Sequence, residues 1–75
     1  MDQGILRIHD LNPDGVRIVV RWETLAPGRS VFVPCVNTHE CKQQVKRITK
    51  DKGISVEIRI VIEKDMLGVR VWQIV

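Results

Sequence analysis

The residues with the clearest chemical potential are the basic side chains of one segment. Between residues 38 and 53 the chain carries five positive and two negative residues, a balance of +3 that equals the net charge of the whole protein. Because an α-helix turns by about 100° per residue, several of these cations fall on one broad side of a helix. Such a surface can neutralise phosphates, and we therefore predict nucleic-acid contacts by Lys42, Lys46, Arg47 and Lys50. The alternative is a solvated helix surface, which commonly carries charged residues.

A second candidate surface belongs to the predicted sheet. If the isoleucines that follow the helix face inward, Arg59, Arg70 and Trp72 face outward together. Arginines beside an aromatic ring can stack on bases and pair with phosphates, so we predict these residues as a secondary nucleic-acid-binding surface. The same face would also carry Val61 and Ile74, and an apolar patch of this kind suits self-association equally well.

Cys35, His39 and Cys41 are soft ligands close together in the sequence. Their C-x3-H-x-C spacing departs from the common zinc patterns, and Cys41 fits the apolar stripe of a helix, so we expect no metal site and no cofactor. His9 and Asp10 form an isolated pair that we expect at the surface. The sequence offers no paired carboxylates in a cleft, no glycine-rich phosphate loop and no Ser/His/Asp set. We therefore expect a non-enzymatic protein.

Size and composition limit the architecture. The 75 residues are enough for a single domain, residues 1–75, and 44% hydrophobic with 28% charged residues is ordinary for a soluble globular domain. No apolar run approaches the roughly 20 residues that span a bilayer, and the first ten residues lack the features of a signal peptide. We expect a cytoplasmic protein in which Cys35 and Cys41 stay reduced.

The sequence predicts one helix over residues 38–52. Asn37 is a suitable N-cap, with Glu40 in the position of a capping box. Gly53 suits the left-handed residue that ends a helix. Within these limits Cys41, Val45 and Ile48 form a narrow apolar stripe, which predicts the face that packs on the core.

Period-two alternation and turn signals predict five strands. The clearest is 54–63, where every second residue is Ile or Val. Asn-Pro-Asp-Gly at 12–15 and Pro-Gly at 27–28 predict turns, and a hairpin connection is expected at 64–68. The predicted fold is α+β in the order βββαββ, with the helix on one face of an antiparallel sheet. Its strands are residues 5–11, 16–24, 30–36, 54–63 and 69–75, with Trp22 facing the core.

Three short segments carry a resemblance to known proteins. Trp22-Glu23-Thr24-Leu25, SVFVP at 30–34 and GVRVW at 68–72 together resemble the W-x-x-L, S-F-F-V-P and G-x-R-V-W-R pattern of small bacteriophage and prophage proteins of unassigned function. This sequence departs from the pattern at Val31, where Phe is usual, and at Gln73, where a basic residue is usual. The resemblance implies a phage-encoded protein in the host cytoplasm and implies no activity.

These features predict a small nucleic-acid-binding accessory or regulatory protein that contacts phosphates through the basic side of its helix. Such contacts position a protein and read little sequence. The alternative is a protein-interaction module that binds and modulates a host protein, alone or as a homodimer through a sheet edge or the Trp72 face. The choice between DNA and RNA stays open.

Overall fold

The computed structural model describes residues 9–75, which confirm the α+β class. Their sheet is antiparallel and three-stranded, in the order β1-β3-β2, so β3 lies between the other two strands. The predicted order βββαββ is therefore wrong for the described residues. The elements are a 3-10 turn at Trp22–Thr24, β1 Ser30–Pro34, α1 Thr38–Lys52, β2 Val56–Glu63 and β3 Met66–Gln73.

The helix forms where its capping residues predict. The Asn37 side chain accepts a hydrogen bond from the Glu40 N–H at 3.1 Å. At the other end Gly53 has a φ of 73°, and its N–H bonds to the Lys50 carbonyl. The Ile54 N–H bonds to the Thr49 carbonyl at 3.0 Å, which completes a Schellman motif. The chain then turns directly into β2, so the end of the helix lies beside the start of this strand.

The core lies between α1, one face of the sheet and the segment before β1. The predicted helix stripe is confirmed, and Trp22 is buried as expected with 5% of its surface exposed. Two polar helix residues, Gln44 and Thr49, are also buried. The buried apolar residues are Leu11, Trp22, Leu25, Val33, Cys35, Cys41, Val45, Ile48, Val69 and Val71.

The predicted strand at 16–24 does not form. Leu11 and Ile18 exchange two backbone hydrogen bonds in an isolated bridge, and the chain then turns through the 3-10 segment. The Trp22 indole N–H donates to the His9 carbonyl at 2.8 Å, which fixes this segment against the core without a sheet neighbour. Apolar and polar residues do alternate over residues 16–24, but a β-strand also needs a hydrogen-bonded neighbour along its length. Of the strand predicted at 5–11, residues 5–8 lie outside the described residues.

The loop before the 3-10 turn is tied to the start of α1. The predicted turn at 12–15 is present, with the Gly15 N–H bonded to the Asn12 carbonyl. The Asp14 carboxylate accepts hydrogen bonds from the backbone N–H groups of Asn37 at 2.7 Å and Val36 at 2.9 Å, and these bonds lower the pKa of Asp14. The Gln44 side chain bonds to Asn12 twice, at 2.8 and 3.0 Å.

The β2–β3 hairpin is tighter than the sequence predicts. Lys64 and Asp65 have φ values of 50° and 64°, which is typical of a two-residue type I′ turn. β3 consequently begins at Met66, and Gly68, which was expected in the connection, lies buried within the strand. The Phe32 ring packs over Gly68, where a β-carbon would lie 2.6 Å from the ring. The glycine therefore provides space for an aromatic residue of β1.

The alternation of β2 continues to its end, but the helix covers only part of it. Val56 and Ile58 are half-buried against the core, as is Ile54 just before the strand. Ile60 and Ile62 share their face of the sheet yet are 51% and 72% exposed. The isoleucines after the helix were expected to face inward, and for Ile60 and Ile62 that face of the sheet is not covered within residues 9–75.

We predict that Gly68→Ala destabilises the protein by about 1–3 kcal/mol, because the added methyl overpacks the site beneath Phe32. Urea denaturation at neutral pH measures the loss. Phe32→Leu in the same chain should recover part of it, since the clash with the ring is removed while that with the Val33 carbonyl remains. A Gly68→Ala protein as stable as the parent would contradict the packing.

Candidate functional site

The structure brings three of the predicted basic residues to one groove. Lys42, Lys46 and Lys50 are spaced four residues apart, so they form one line along α1. They form one wall of a groove of about 490 Å³, open to solvent, between the helix and the sheet. The rest of the lining is Thr49 of the same helix and the apolar side chains of Ile54, Val56 and Ile58. We call this the lysine groove.

The charges of the groove are not neutralised within residues 9–75. None of the ion pairs there involves Lys42, Lys46 or Lys50. Asp51 instead contacts His9 at 3.1 Å, and Glu40 accepts a hydrogen bond from Gln44 at 3.0 Å. The groove therefore presents a positive wall beside an apolar floor.

The side of the groove opposite the helix is the outer edge of β2, which has no further strand neighbour within residues 9–75. Among the described strands β2 pairs with β3 alone. The Ile74 N–H bonds to the Ser55 carbonyl at 2.9 Å, which fixes the phase of the ladder, because successive residues of an antiparallel strand bond to opposite sides. The backbone N–H and C=O groups of the odd-numbered residues of β2 therefore bond to β3. The N–H and C=O groups of Val56, Ile58 and Ile60 consequently point away from the sheet.

Arg47 belongs to a different surface. It lines a smaller hollow of about 200 Å³ together with His9, Ile48 and Asp51. The predicted surface pair of His9 and Asp10 is divided between other partners, since His9 contacts Asp51 and Asp10 forms an ion pair of 3.7 Å with Arg17. The four predicted helix cations are therefore split into three on one flank and one on the other.

The predicted secondary surface lies on the sheet face opposite the helix. Arg59 and Arg70 are direct cross-strand neighbours, and Trp72 is two residues along the same face of β3. The three residues do share a face, as the alternation predicts, but they are separated from the lysine groove by the sheet itself. Arg59 forms an ion pair with Glu57, and Trp72 is half-buried.

Arg70 is committed to the structure. Its guanidinium holds the Glu63 carboxylate through two hydrogen bonds of 2.5 Å and donates to Ser30 at 2.7 Å. It also lies 5.6 Å from the centre of the Phe32 ring, within cation–π range. The bonds from Arg70 lower the pKa of Glu63, and those with Glu63 raise the pKa of Arg70. Arg70 thus links all three strands, and Glu63 compensates its charge, so it is poorly suited to bind a ligand.

The cysteines form a buried thiol pair. Cys35 and Cys41 are free and buried, and burial raises the pKa of both thiols, that of Cys41 to about 12. A hydrogen bond between the two thiols adds to the rise at Cys41. His39 is exposed, and residues 9–75 contain no group of three or more His, Cys, Asp or Glu residues placed to hold a metal ion.

The sequence patterns missed the strand edge and the groove floor. Ile54, Val56 and Ile58 were expected inside a closed core, and the edge position of β2 depends on strand order, which periodicity does not encode. The available signal was the short connection after Gly53, which places β2 directly beside the basic helix. Gln44 was also missed, because a buried amide has no sequence pattern of its own.

Comparison with other proteins identifies no relative of this chain, so the site is interpreted from its own geometry. No protein-family model matches the chain, and no curated protein or solved structure is significantly similar to it. The described part of the chain has no helix with the length and apolar character that a bilayer crossing requires. The resemblance to phage proteins stays a prediction.

We predict that Glu63→Gln lowers the melting temperature at pH 7 and has little effect near pH 2. The folded-state pKa of Glu63 is lowered by Arg70, so its carboxylate stabilises the fold above the unfolded pKa of about 4.3. That contribution is lost as the pH falls through the lower folded value. Thermal denaturation followed by circular dichroism from pH 2 to pH 7 measures the effect.

The matched control is Asp65→Asn, which removes one negative charge from the same hairpin and keeps a residue that tolerates positive φ. It leaves the contact between Glu63 and Arg70 in place, so the loss of melting temperature at pH 7 should be smaller than that of Glu63→Gln. If the two variants follow the same pH profile, the contact between Glu63 and Arg70 has no specific role in stability.

Proposed function

We propose that this protein is a non-enzymatic protein-interaction module that binds a segment of a partner protein in the lysine groove. One observation carries the proposal. Within residues 9–75, three lysines without ion-pair partners line an apolar groove beside a strand edge that has no further neighbour. Such a site offers charge, apolar area and main-chain hydrogen-bonding groups in one place. The resemblance to phage proteins implies a host protein as the partner.

The apolar part of the site favours a protein over a nucleic acid. The groove is lined by aliphatic side chains and has no aromatic ring on which a base could stack. Exposed apolar residues extend the same face of β2 and β3, namely Ile60, Ile62 and Leu67. A cluster of this kind beside polar residues is typical of protein contact sites.

The lysines would act on association and orientation. A row of like charges beside a low-dielectric wall attracts an anionic partner and increases its association rate. Because the row lies on one flank of the groove, it also favours one placement of the partner's charges. The salt dependence of binding should therefore appear mainly in the association rate, whereas apolar contacts set the dissociation rate.

A nucleic-acid-binding function is the second candidate, and the lysine row itself favours it. Lys42, Lys46 and Lys50 are unpaired among the described residues and evenly spaced, as phosphate contacts require. Three such contacts would give a log–log salt slope of about −2.7 on duplex DNA. The remaining predicted residues, Arg47, Arg59, Arg70 and Trp72, would form separate surfaces.

We predict that Lys42→Gln/Lys46→Gln/Lys50→Gln weakens binding of groove-directed peptides more than about tenfold, since each lost charge removes a contact worth up to about 1 kcal/mol. The peptides are selected from a random display library against the parent protein, and their affinities are measured by fluorescence anisotropy. The control is Arg21→Gln/Arg29→Gln/Lys52→Gln, which also reduces the net charge from +3 to zero but lies outside the groove.

Two outcomes would reject the proposal. Selected peptides that bind both triple variants equally well would place the binding site elsewhere. A library that yields no peptide, together with labelled DNA or RNA oligonucleotides that bind the parent and lose binding in the Lys42/Lys46/Lys50 variant, would establish the second candidate instead.

A further inference from the structure

We infer that the segment bound in the lysine groove is an extended acidic strand that adds to the edge of β2 that is unpaired within residues 9–75. This inference rests on the proposed function and specifies the partner's chemistry. It assigns two interactions to the bound segment, namely main-chain hydrogen bonds to β2 and carboxylates placed against Lys42, Lys46 and Lys50. Strand addition is one of the recurrent ways in which domains bind peptides.

The edge of β2 is suited to accept a strand. β2 has eight residues, Val56–Glu63, contains no proline and pairs with β3 residue by residue without a bulge. Natural sheets usually protect such an edge with short strands, bulges, proline or charged side chains. The charged residues of β2, Glu57, Arg59 and Glu63, all belong to the opposite face, and on the groove side the edge shows only Ile and Val.

The spacing of the groove wall matches the period of an added strand. A paired strand would lie about 4.8 Å from β2, and every second side chain along it would be about 6.6 Å from the next. Residues four apart on a helix are separated by about 6 Å along its axis. The two intervals are nearly equal, so a strand added along the groove would present side chains at about the spacing of the lysines.

The chemistry of the groove selects the side chains of the partner. A residue turned toward α1 passes the aliphatic floor of Ile54, Val56 and Ile58 before it reaches the ammonium groups. Glutamate satisfies both requirements, because its methylenes contact the floor and its carboxylate reaches the lysines. The preferred partner is therefore a segment with glutamate at alternate positions.

A second copy of this chain is a poor occupant of the same edge. Pairing two β2 edges about a two-fold axis places both helices on one face of the joined sheet. The two rows of Lys42, Lys46 and Lys50 would then face each other across the junction. Like charges in such a position oppose association, so the edge favours a partner of opposite charge.

The test uses labelled synthetic peptides and the full chain, with affinity measured by fluorescence anisotropy. We expect a blocked Glu-Val-Glu-Val-Glu-Val peptide to bind more than about tenfold more tightly than its Lys-Val counterpart. Two further versions carry N-methyl groups on alternate residues, one on the glutamates and one on the valines. One of them should lose binding by at least about tenfold and the other should retain it, since only alternate N–H groups of an added strand face β2.

Hydrogen exchange supplies an independent measurement on the protein. Saturation with the Glu-Val peptide should slow exchange at the amides of Val56, Ile58 and Ile60, which point away from the sheet. The amides of Glu57 and Arg59 already bond to β3 and should change little. A merely electrostatic contact would leave all five rates unchanged.

The outcomes separate this inference from the proposed function. Acidic peptides that bind equally well with either methylation pattern would reject strand addition and leave a charge-driven protein site in place. Display-selected peptides that bind the groove while the Glu-Val peptide does not would reject the acidic strand alone. Binding of oligonucleotides only would reject both. A dimer that protects the Val56, Ile58 and Ile60 amides without peptide would make a second copy the occupant.

Discussion

The structure depends on the pairing of β1 with β3, and that pairing depends on the contact between Phe32 and Gly68. The aromatic ring lies where a β-carbon on the glycine would be, so β1 can approach the central strand closely. Arg70 then covers the ring and links Ser30 on one side with Glu63 on the other. One glycine, one ring and one guanidinium thus hold the three strands in a single register.

This arrangement determines which surface is left for binding. Because β3 is paired on both sides, the edges of the sheet are β1 and β2. The loop that contains Asn12 and Asp14 is bonded to Gln44 and to the start of α1, so this loop occupies one flank of the helix. The opposite flank, with the lysines, lies over β2 and is not covered by any other part of residues 9–75. The lysine groove is therefore a consequence of where the core is closed.

The sequence predicted the parts that local chemistry determines. The ends of the helix follow from Asn37 and Gly53, and its buried stripe follows from the spacing of its apolar residues. The segments on which the predicted resemblance to phage proteins rests include SVFVP and GVRVW, which pair with each other as β1 and β3, so these short motifs describe a strand contact. Strand order, the exposed edge and the tight turn at Lys64–Asp65 depend on pairing across the chain, which alternation alone does not specify. The lysine row was predicted correctly because helix periodicity alone places Lys42, Lys46 and Lys50 on one side. Their separation from Arg47 and Arg70 could be seen only in the folded structure.

The contrast between the two charged faces supports an external partner for the lysines. On the open face of the sheet, Arg59 and Arg70 each have a carboxylate neighbour, and their charges are used within the fold. Lys42, Lys46 and Lys50 repel one another along one line of the helix, where like charges four residues apart destabilise it by about 0.2–0.5 kcal/mol per pair. An acidic ligand removes this repulsion, and anything that binds the native state alone also stabilises it. The proposed binding of an acidic ligand at the lysine row would therefore also stabilise the fold.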